Sequence, residues 1–175
     1  MKSKALHHLT QIEEKRKALN EELSQYSSEE LNRQPGPDQW SALQVMHHLY
    51  LAESYAGRYI SKKLSFNPKL KKAGLQTWFK NKIMLFYLRS SMKWKAPTAV
   101  SSEHLPNHSE LPEIVAKWDK QRKEIYEFLS TLPDDVYTKE VYKHPFAGRI
   151  NLSGMLDFFE GHFDRHYKQI QRTLK

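Results

Sequence analysis

The sequence predicts an all-α protein in which four long helices pack around one core. Four separate stretches place apolar residues three or four positions apart, which is the spacing of one face of an amphipathic helix. The chain has 175 residues, enough to bury a core, and we expect residues 1–175 to form one domain. An extra short helix and a small extended segment before the last helix complete this prediction.

The first helix is predicted from Lys2 to Ser24, where charged residues separate the apolar positions. Those positions are Ala5, Leu9, Ile12, Leu19 and Leu23. We interpret residues 27–31 as a connecting turn, because Pro35 and Pro37 follow shortly and stop any helix.

The second long helix is predicted to begin after Ser41. Ser41 and Gln44 have the spacing of a capping box, and Trp40 stands before the cap, where it can pack on the first turns. The apolar stripe that follows consists of Val45, Met46, Leu49, Ala52, Ala56, Tyr59 and Ile60. His48 lies on this stripe, whereas His47 lies about 100° away from it. His48 therefore faces the core, either as a histidine bonded to a backbone carbonyl or as a ligand.

The positive charge of the chain is concentrated in one segment. No Asp or Glu occurs between Ser54 and Ser102, which holds eleven of the 28 Lys and Arg residues, and the remainder of the chain carries 17 basic and 20 acidic residues. Within this segment, Thr77 to Trp94 forms a short aromatic and basic helix that ends before Pro97. We favour a helix packed across the bundle with its lysines outward; a membrane-surface helix or one laid on an acidic partner is the alternative.

The third long helix is predicted to be capped by Ser109, with Pro112 in its first turn. Its stripe consists of Leu111, Val115, Trp118, Ile125, Phe128, Leu129 and Leu132. Gln121 or Arg122 falls within that stripe, either at the rim of the bundle or in a polar cavity. After Pro133, alternation in residues 136–138 and 140–142 predicts extended structure, and residues 144–148 form a turn.

The last helix carries the main functional signal. Asn151 or Ser153 can cap it, and its core positions are Met155, Phe159, His162, His166 and Ile170. His162 and His166 stand one turn apart on one face, so both can reach a single metal ion. Helix carbonyls are already bonded and cannot satisfy two such histidines, which favours a metal.

A third ligand has to come from another helix, and His48 is the remaining inward histidine. Three imidazoles with an open fourth position suit Zn, Ni, Fe or Mn. The absence of cysteine excludes disulfides, thiolate zinc sites and cysteine nucleophiles. The pattern is not that of a zincin peptidase, because Phe163 stands where the catalytic glutamate would be and Asp164 points away.

Two motifs resemble the DinB/YfiT-like family of metal-dependent enzymes. The first is the stretch from Gln34 through Trp40 to His48, and the second is His162-x-x-x-His166 followed by Gln169. The similarity extends from about residue 9 to residue 172. It implies a four-helix bundle with up-down-down-up connectivity, a divalent metal held by His48, His162 and His166 at one end of the bundle, and a homodimer. It also implies transfer of low-molecular-weight thiols, or isomerisation or hydrolysis of their conjugates.

We therefore expect a cytoplasmic, metal-dependent thiol S-transferase or hydrolase acting on a small molecule, with no transmembrane segment. No catalytic residue is assigned; Glu53, Tyr50, Tyr167 and Glu160 are candidate proton acceptors. The alternative is a non-catalytic binding or stress-response protein that uses the surface of residues 54–102 for an anionic partner. Nucleic acid is not favoured as that partner, because no nucleic-acid-binding motif is present.

Overall fold

The structure, a computed structural model, describes residues 1–90 and 100–175 and is mostly helical. The helices are α1 (Lys2–Leu23), α2 (Ser28–Asn32), α3 (Ala42–Ser65), α4 (Leu75–Arg89), α5 (Leu111–Thr131) and α6 (Leu152–Thr173). Two short 3-10 helices cover Ser102–His104 and Asp134–Thr138, and two strands, β1 (Tyr142–His144) and β2 (Gly148–Ile150), precede α6. The all-α prediction is confirmed. The predicted end of the basic helix, with Met92, Trp94 and Pro97, lies outside the described residues.

The long helices meet in pairs around the core. Helix α1 packs on α5 and α6, and α3 packs on the same two helices, while α4 lies against α6 and β2. The buried apolar residues form two clusters, one beside the β-hairpin and the other around the first turns of α3 and the last turns of α6. The second cluster includes Leu49, Trp118 and Phe163, so it surrounds the region where the inward histidines lie.

Two of the predicted helix caps are present. The hydroxyl of Ser41 accepts from the backbone N–H of Gln44, whose side chain accepts from the Ser41 N–H in return. Asn151 caps α6 by accepting from the N–H of Gly154 at 2.9 Å. The predicted Ser109 cap is wrong: α5 begins at Leu111, and the Ser109 hydroxyl instead lies 3.0 Å from His47 Nε2.

Local structure differs from the prediction at two connections. Residues 28–32 form a short helix, capped by a reciprocal pair of hydrogen bonds between Ser27 and Glu30. Residues 136–138 are not extended but belong to a 3-10 helix, held by a 2.7 Å hydrogen bond from the Tyr137 hydroxyl to the Leu129 carbonyl. The extended segment is the hairpin of β1 and β2, whose turn ends at Gly148 with a left-handed φ of 73°.

Helix α4 approaches α6 closely at two glycines. It buries Thr77, Met84 and Leu88 and leaves its opposite face in solvent. On α6, Gly154 contacts the Asn81 side chain, and a Cβ at Gly161 would lie 3.0 Å from Leu88 Cδ1. Both glycines therefore give α4 room to dock on the helix that carries two of the three inward histidines.

Candidate metal centre

Two helices bring the three predicted ligands together. The Ser41 cap starts α3 so that His48 falls in its second turn, and α6 presents His162 and His166 one turn apart. Their ligand nitrogens all lie within 4.8 Å of one another, and the Nε2 atoms of His48 and His162 are 3.2 Å apart. His48 and His166 are buried, with 4% and 9% of their surface exposed, and His162 is partly exposed. These residues form the three-His group.

The outer nitrogen of His48 is held by the backbone. Its Nδ1 lies 2.8 Å from the carbonyl oxygen of Val100, which can only accept, so Nδ1 carries the proton. In the neutral ring Nε2 is then an acceptor that lies 3.2 Å from Nε2 of His162, close enough to accept a hydrogen bond from it. The backbone carbonyl expected for a structural histidine is present, and the second ring nitrogen faces another histidine of the group.

The outer nitrogen of His166 is held in the same way by a side chain. Its Nδ1 lies 2.8 Å from Oε1 of Gln169, three residues further along α6. A donating Nδ1–H again leaves the Nε2 lone pair free. Such an outer hydrogen bond fixes the tautomer and the ring orientation of histidines that bind metals.

Aromatic rings enclose the group. Phe158 stacks on His162 with ring centroids 5.0 Å apart and an angle of 19° between the planes, and Trp40 lies 4.8 Å from the ring of His48. Apolar walls of this kind exclude water and orient the imidazoles. Trp40 thus has a role at the site as well as at the start of α3.

The environment keeps the three imidazoles neutral. Burial lowers the pKa of His48, and burial together with the neighbouring His48 lowers the pKa of His166 to about 3. Burial and the proximity of His166 and His48 lower the pKa of His162 well below its usual value. Neutral imidazole is the form that binds a metal ion, so the group is prepared for that role near pH 7.

The geometry fits a divalent ion. Bonds of about 2.0–2.1 Å to a tetrahedral metal place two histidine nitrogens roughly 3.3 Å apart. The 3.2 Å between His48 and His162 matches that separation, and all three ligand nitrogens lie within 4.8 Å of one another. Within the described residues no carboxylate belongs to this group, so the donor set is nitrogen only. Nitrogen donors suit Zn, Ni and Fe, whereas oxygen donors suit Mg, Ca and Mn.

The other histidines do not join the group. His47, next to His48 in the sequence, contacts Ser109 as described above and faces another direction. His8 lies 3.0 Å from Glu160, and His104 and His108 are exposed. The periodicity argument that separated His48 from His47 therefore agrees with their positions.

Three of the four candidate proton acceptors are engaged elsewhere. Glu53 is buried and accepts from Trp118 Nε1 at 2.8 Å and from Arg122 Nη2 at 2.6 Å. Glu160 accepts from Lys15 at 2.7 Å, and the hydroxyl of Tyr167 donates to Glu22. Burial raises the pKa of Glu53, while Arg122 opposes that shift.

Sequence reasoning missed the groups that orient the imidazoles. Gln169 was part of the recognised motif, and its position three residues after His166 was the available signal. The contact of His48 with the Val100 carbonyl could not be predicted from the sequence, because any residue can offer a backbone carbonyl. Phe158, four residues before His162, could have been placed beside it by helical spacing.

No helix among the described residues is both long and apolar enough to cross a membrane.

Comparisons with known proteins give the family. Searches of curated proteins and of solved structures found no match to the chain. The family model of the DinB superfamily matches residues 11–170, a range that includes all three histidines of the group. The chain therefore belongs to the DinB superfamily.

Proposed function

We propose that this protein is a metal-dependent transferase or hydrolase that acts on low-molecular-weight thiols or their conjugates. The observation that supports the proposal is the three-His group, in which neutral imidazoles meet and two of the three have their outer nitrogens held by acceptors. Members of the superfamily often bind metal. In this proposal His48, His162 and His166 are the ligands of a divalent ion.

Each residue of the site has a definite task in this proposal. A bound divalent ion would act as a Lewis acid and lower the pKa of a thiol or water at its open position. His48 and His166 hold their Nε2 lone pairs in place through Val100 and Gln169. His162 is the most exposed of the three residues, so we place the approach of the substrate on its side.

A thiol is the better-suited nucleophile. A free thiol has a pKa of about 8.5 and needs only a modest shift to ionise near neutral pH, whereas water has to shift from about 15.7. Glu53 and Glu160, the carboxylates considered as bases, already accept from Arg122 and Lys15. A reaction that can release its proton to solvent without a protein base is therefore favoured, and this supports thiol transfer over hydrolysis.

The proposal retains three properties that the family resemblance or the composition suggested. These are up-down-down-up connectivity of the four long helices, a homodimer, and a cytoplasmic location. They remain predictions alongside the assignment of the three ligands.

Metal analysis tests the ligands. We expect the purified, untagged protein to carry about one divalent ion per chain, as a three-His site binds one. We expect His162→Ala to lose it, as measured by elemental mass spectrometry. His47→Ala is the matched control, because His47 is adjacent to the site in sequence but bonds Ser109. Retention of metal by His162→Ala, or equal loss in both variants, would contradict the site.

A screen of cellular thiols against electrophilic acceptors tests the reaction. We expect metal-dependent consumption of thiol by the loaded wild type and by His47→Ala, but not by His162→Ala. Metal binding without turnover of any thiol or conjugate would leave the ligands intact and refute the proposed chemistry.

A further inference from the structure

Helix α4 carries a stripe of exposed apolar side chains. Leu75, Phe79, Ile83 and Phe86 follow one another at spacings of four, four and three residues, so they share one face of the helix. Between 58% and 80% of each residue is exposed. The stripe extends over about 16 Å of the helix, from eleven steps of about 1.5 Å. It lies opposite Met84 and Leu88, which dock α4 on the rest of the molecule.

Cations border this stripe. Lys82 and Arg89 are exposed, and together with Leu85, Phe86 and Ser90 they line a surface groove of about 470 Å³. Lys82 Nζ lies 5.6 Å from the ring centre of Trp78, which is also half exposed. Among the described residues, neither Lys82 nor Arg89 forms a salt bridge. Burial raises the pKa of the nearby Asp157 carboxyl, and Lys82 opposes that rise in part.

The combination of apolar side chains and cations favours an anionic membrane surface as the binding partner of α4. Large apolar side chains beside lysine, arginine and tryptophan are typical of helices that lie in a membrane interface. A symmetric contact between two copies through this face would bring Lys82 and Arg89 of both copies into one interface without an acidic partner from the same helix, which costs electrostatic energy. The absence of Asp and Glu between residues 54 and 102 extends the positive field around the helix.

We propose that α4 is a docking surface for anionic phospholipid bilayers, with the stripe from Leu75 to Phe86 inserted among the acyl chains and Lys82 and Arg89 on the headgroup phosphates. The stripe is spatially separate from the three-His group, because it points away from the face of α4 that packs on α6.

Flotation with vesicles tests this surface on the full chain. We expect the wild type to bind phosphatidylcholine vesicles that contain phosphatidylserine and to bind pure phosphatidylcholine much less. Lys82→Glu with Arg89→Glu should weaken binding by roughly tenfold or more, since both cations would then repel the anionic headgroups instead of attracting them. Lys120→Glu with Lys123→Glu on α5 is the matched control, as it changes the net charge equally at exposed positions.

A second pair of variants tests the apolar contact. We expect Ile83→Ser with Phe86→Ser to lose anionic-vesicle binding, with Tyr126→Ser on α5 as the exposed control. Because both positions are exposed, circular dichroism should show an unchanged fold. Equal binding to vesicles with and without phosphatidylserine, or binding that persists in both α4 double variants, would overturn the proposal. So would the absence of vesicle binding together with a dimer that dissociates on Ile83→Ser, because the stripe would then be a self-interface.

Discussion

At the scale of single residues, the outer nitrogens of the imidazoles determine whether the three-His group can act as a site. His48 and His166 each donate Nδ1–H to an oxygen, and each therefore presents Nε2 to the centre of the group. A lone histidine on a helix is free to rotate and to change tautomer. These hydrogen bonds remove that freedom before any ion binds.

The side chain of Gln169 offers a direct test of this effect. We expect Gln169→Leu to weaken the affinity for a divalent ion by about 10–100-fold, because His166 loses the acceptor that fixes its ring. Competition with a chromogenic chelator measures the change. Gln171→Leu is the control, because Gln171 lies on the same helix but bonds Glu22. Equal affinity in both variants would contradict a role for Gln169 in orienting the ligand.

Side-chain periodicity indicated which histidines face inward, while their role as metal ligands stays a prediction. The stripe on α3 distinguished His48 from His47, and the spacing of four paired His162 with His166. The support from Val100 was beyond sequence reasoning, because the loop that brings this carbonyl to His48 is placed by tertiary packing.

At the scale of helices, a buried ion pair joins α3 to α5. Glu53 and Arg122 meet at 2.6 Å, and Trp118 donates a further hydrogen bond to the same carboxylate. The sequence predicted that Gln121 or Arg122 falls within an apolar stripe, either at the rim of the bundle or in a polar cavity. In the structure both residues are buried, and Arg122 pairs with Glu53 on another helix.

Removing one member of this pair should be costly. We expect Arg122→Leu to lower the free energy of unfolding by about 3–5 kcal/mol, because Glu53 keeps a buried charge without its partner. Urea denaturation measures the change, and Lys123→Leu is the exposed neighbour that serves as control. Combining Arg122→Leu with Glu53→Met should recover part of the loss. Purely additive losses in that double variant would contradict the coupling of the pair.

Helix boundaries show which local signals were decisive. The Ser41 capping box placed the start of α3 correctly, and Asn151, one of the two residues expected to cap the last helix, is the cap of α6. Ser109 had the right residue type for a cap, but its hydroxyl contacts His47 and its N–H donates to Asn32. The short helix α2 could have been found, since Ser27 and Glu30 have the same capping spacing as Ser41 and Gln44.

At the scale of the whole molecule, buried neutral histidines link stability to pH. His144 is buried in the hairpin, where its Nδ1 accepts from the N–H groups of Phe146 and Ala147, and burial lowers its pKa to about 4. An unfolded histidine titrates near 6.5. The unfolded chain therefore binds more protons between those values, and stability falls as the pH decreases through that range.

Replacing this histidine should reduce the acid sensitivity. We expect the metal-free wild type to be less stable at pH 5 than at pH 7, with about 2 kcal/mol of the loss due to His144. In His144→Asn the amide oxygen can accept the same N–H groups without titrating, so the difference should shrink by that amount. Urea denaturation at both pH values measures it, with the exposed His104→Asn as control. An unchanged pH dependence in His144→Asn would contradict the assignment.

The overall class of the fold followed from periodicity, whereas the exposed face of α4 did not. Its sequence favoured a helix packed across the bundle with its lysines outward, but only Thr77, Met84 and Leu88 are buried in the described part of it. Periodicity shows that a face is apolar. It does not show whether the molecule has another element to cover that face.

The two glycines of α6 have a thermodynamic consequence for the helix itself. Each glycine costs an isolated helix about 1 kcal/mol relative to alanine, so Gly154 and Gly161 weaken the intrinsic tendency of this segment to be helical. Contact with Asn81 and Leu88 of α4 offsets that loss in the folded protein. The helical conformation of the segment that carries His162 and His166 therefore depends in part on its packing against α4. A force that pulls α4 away would loosen the two histidines as well.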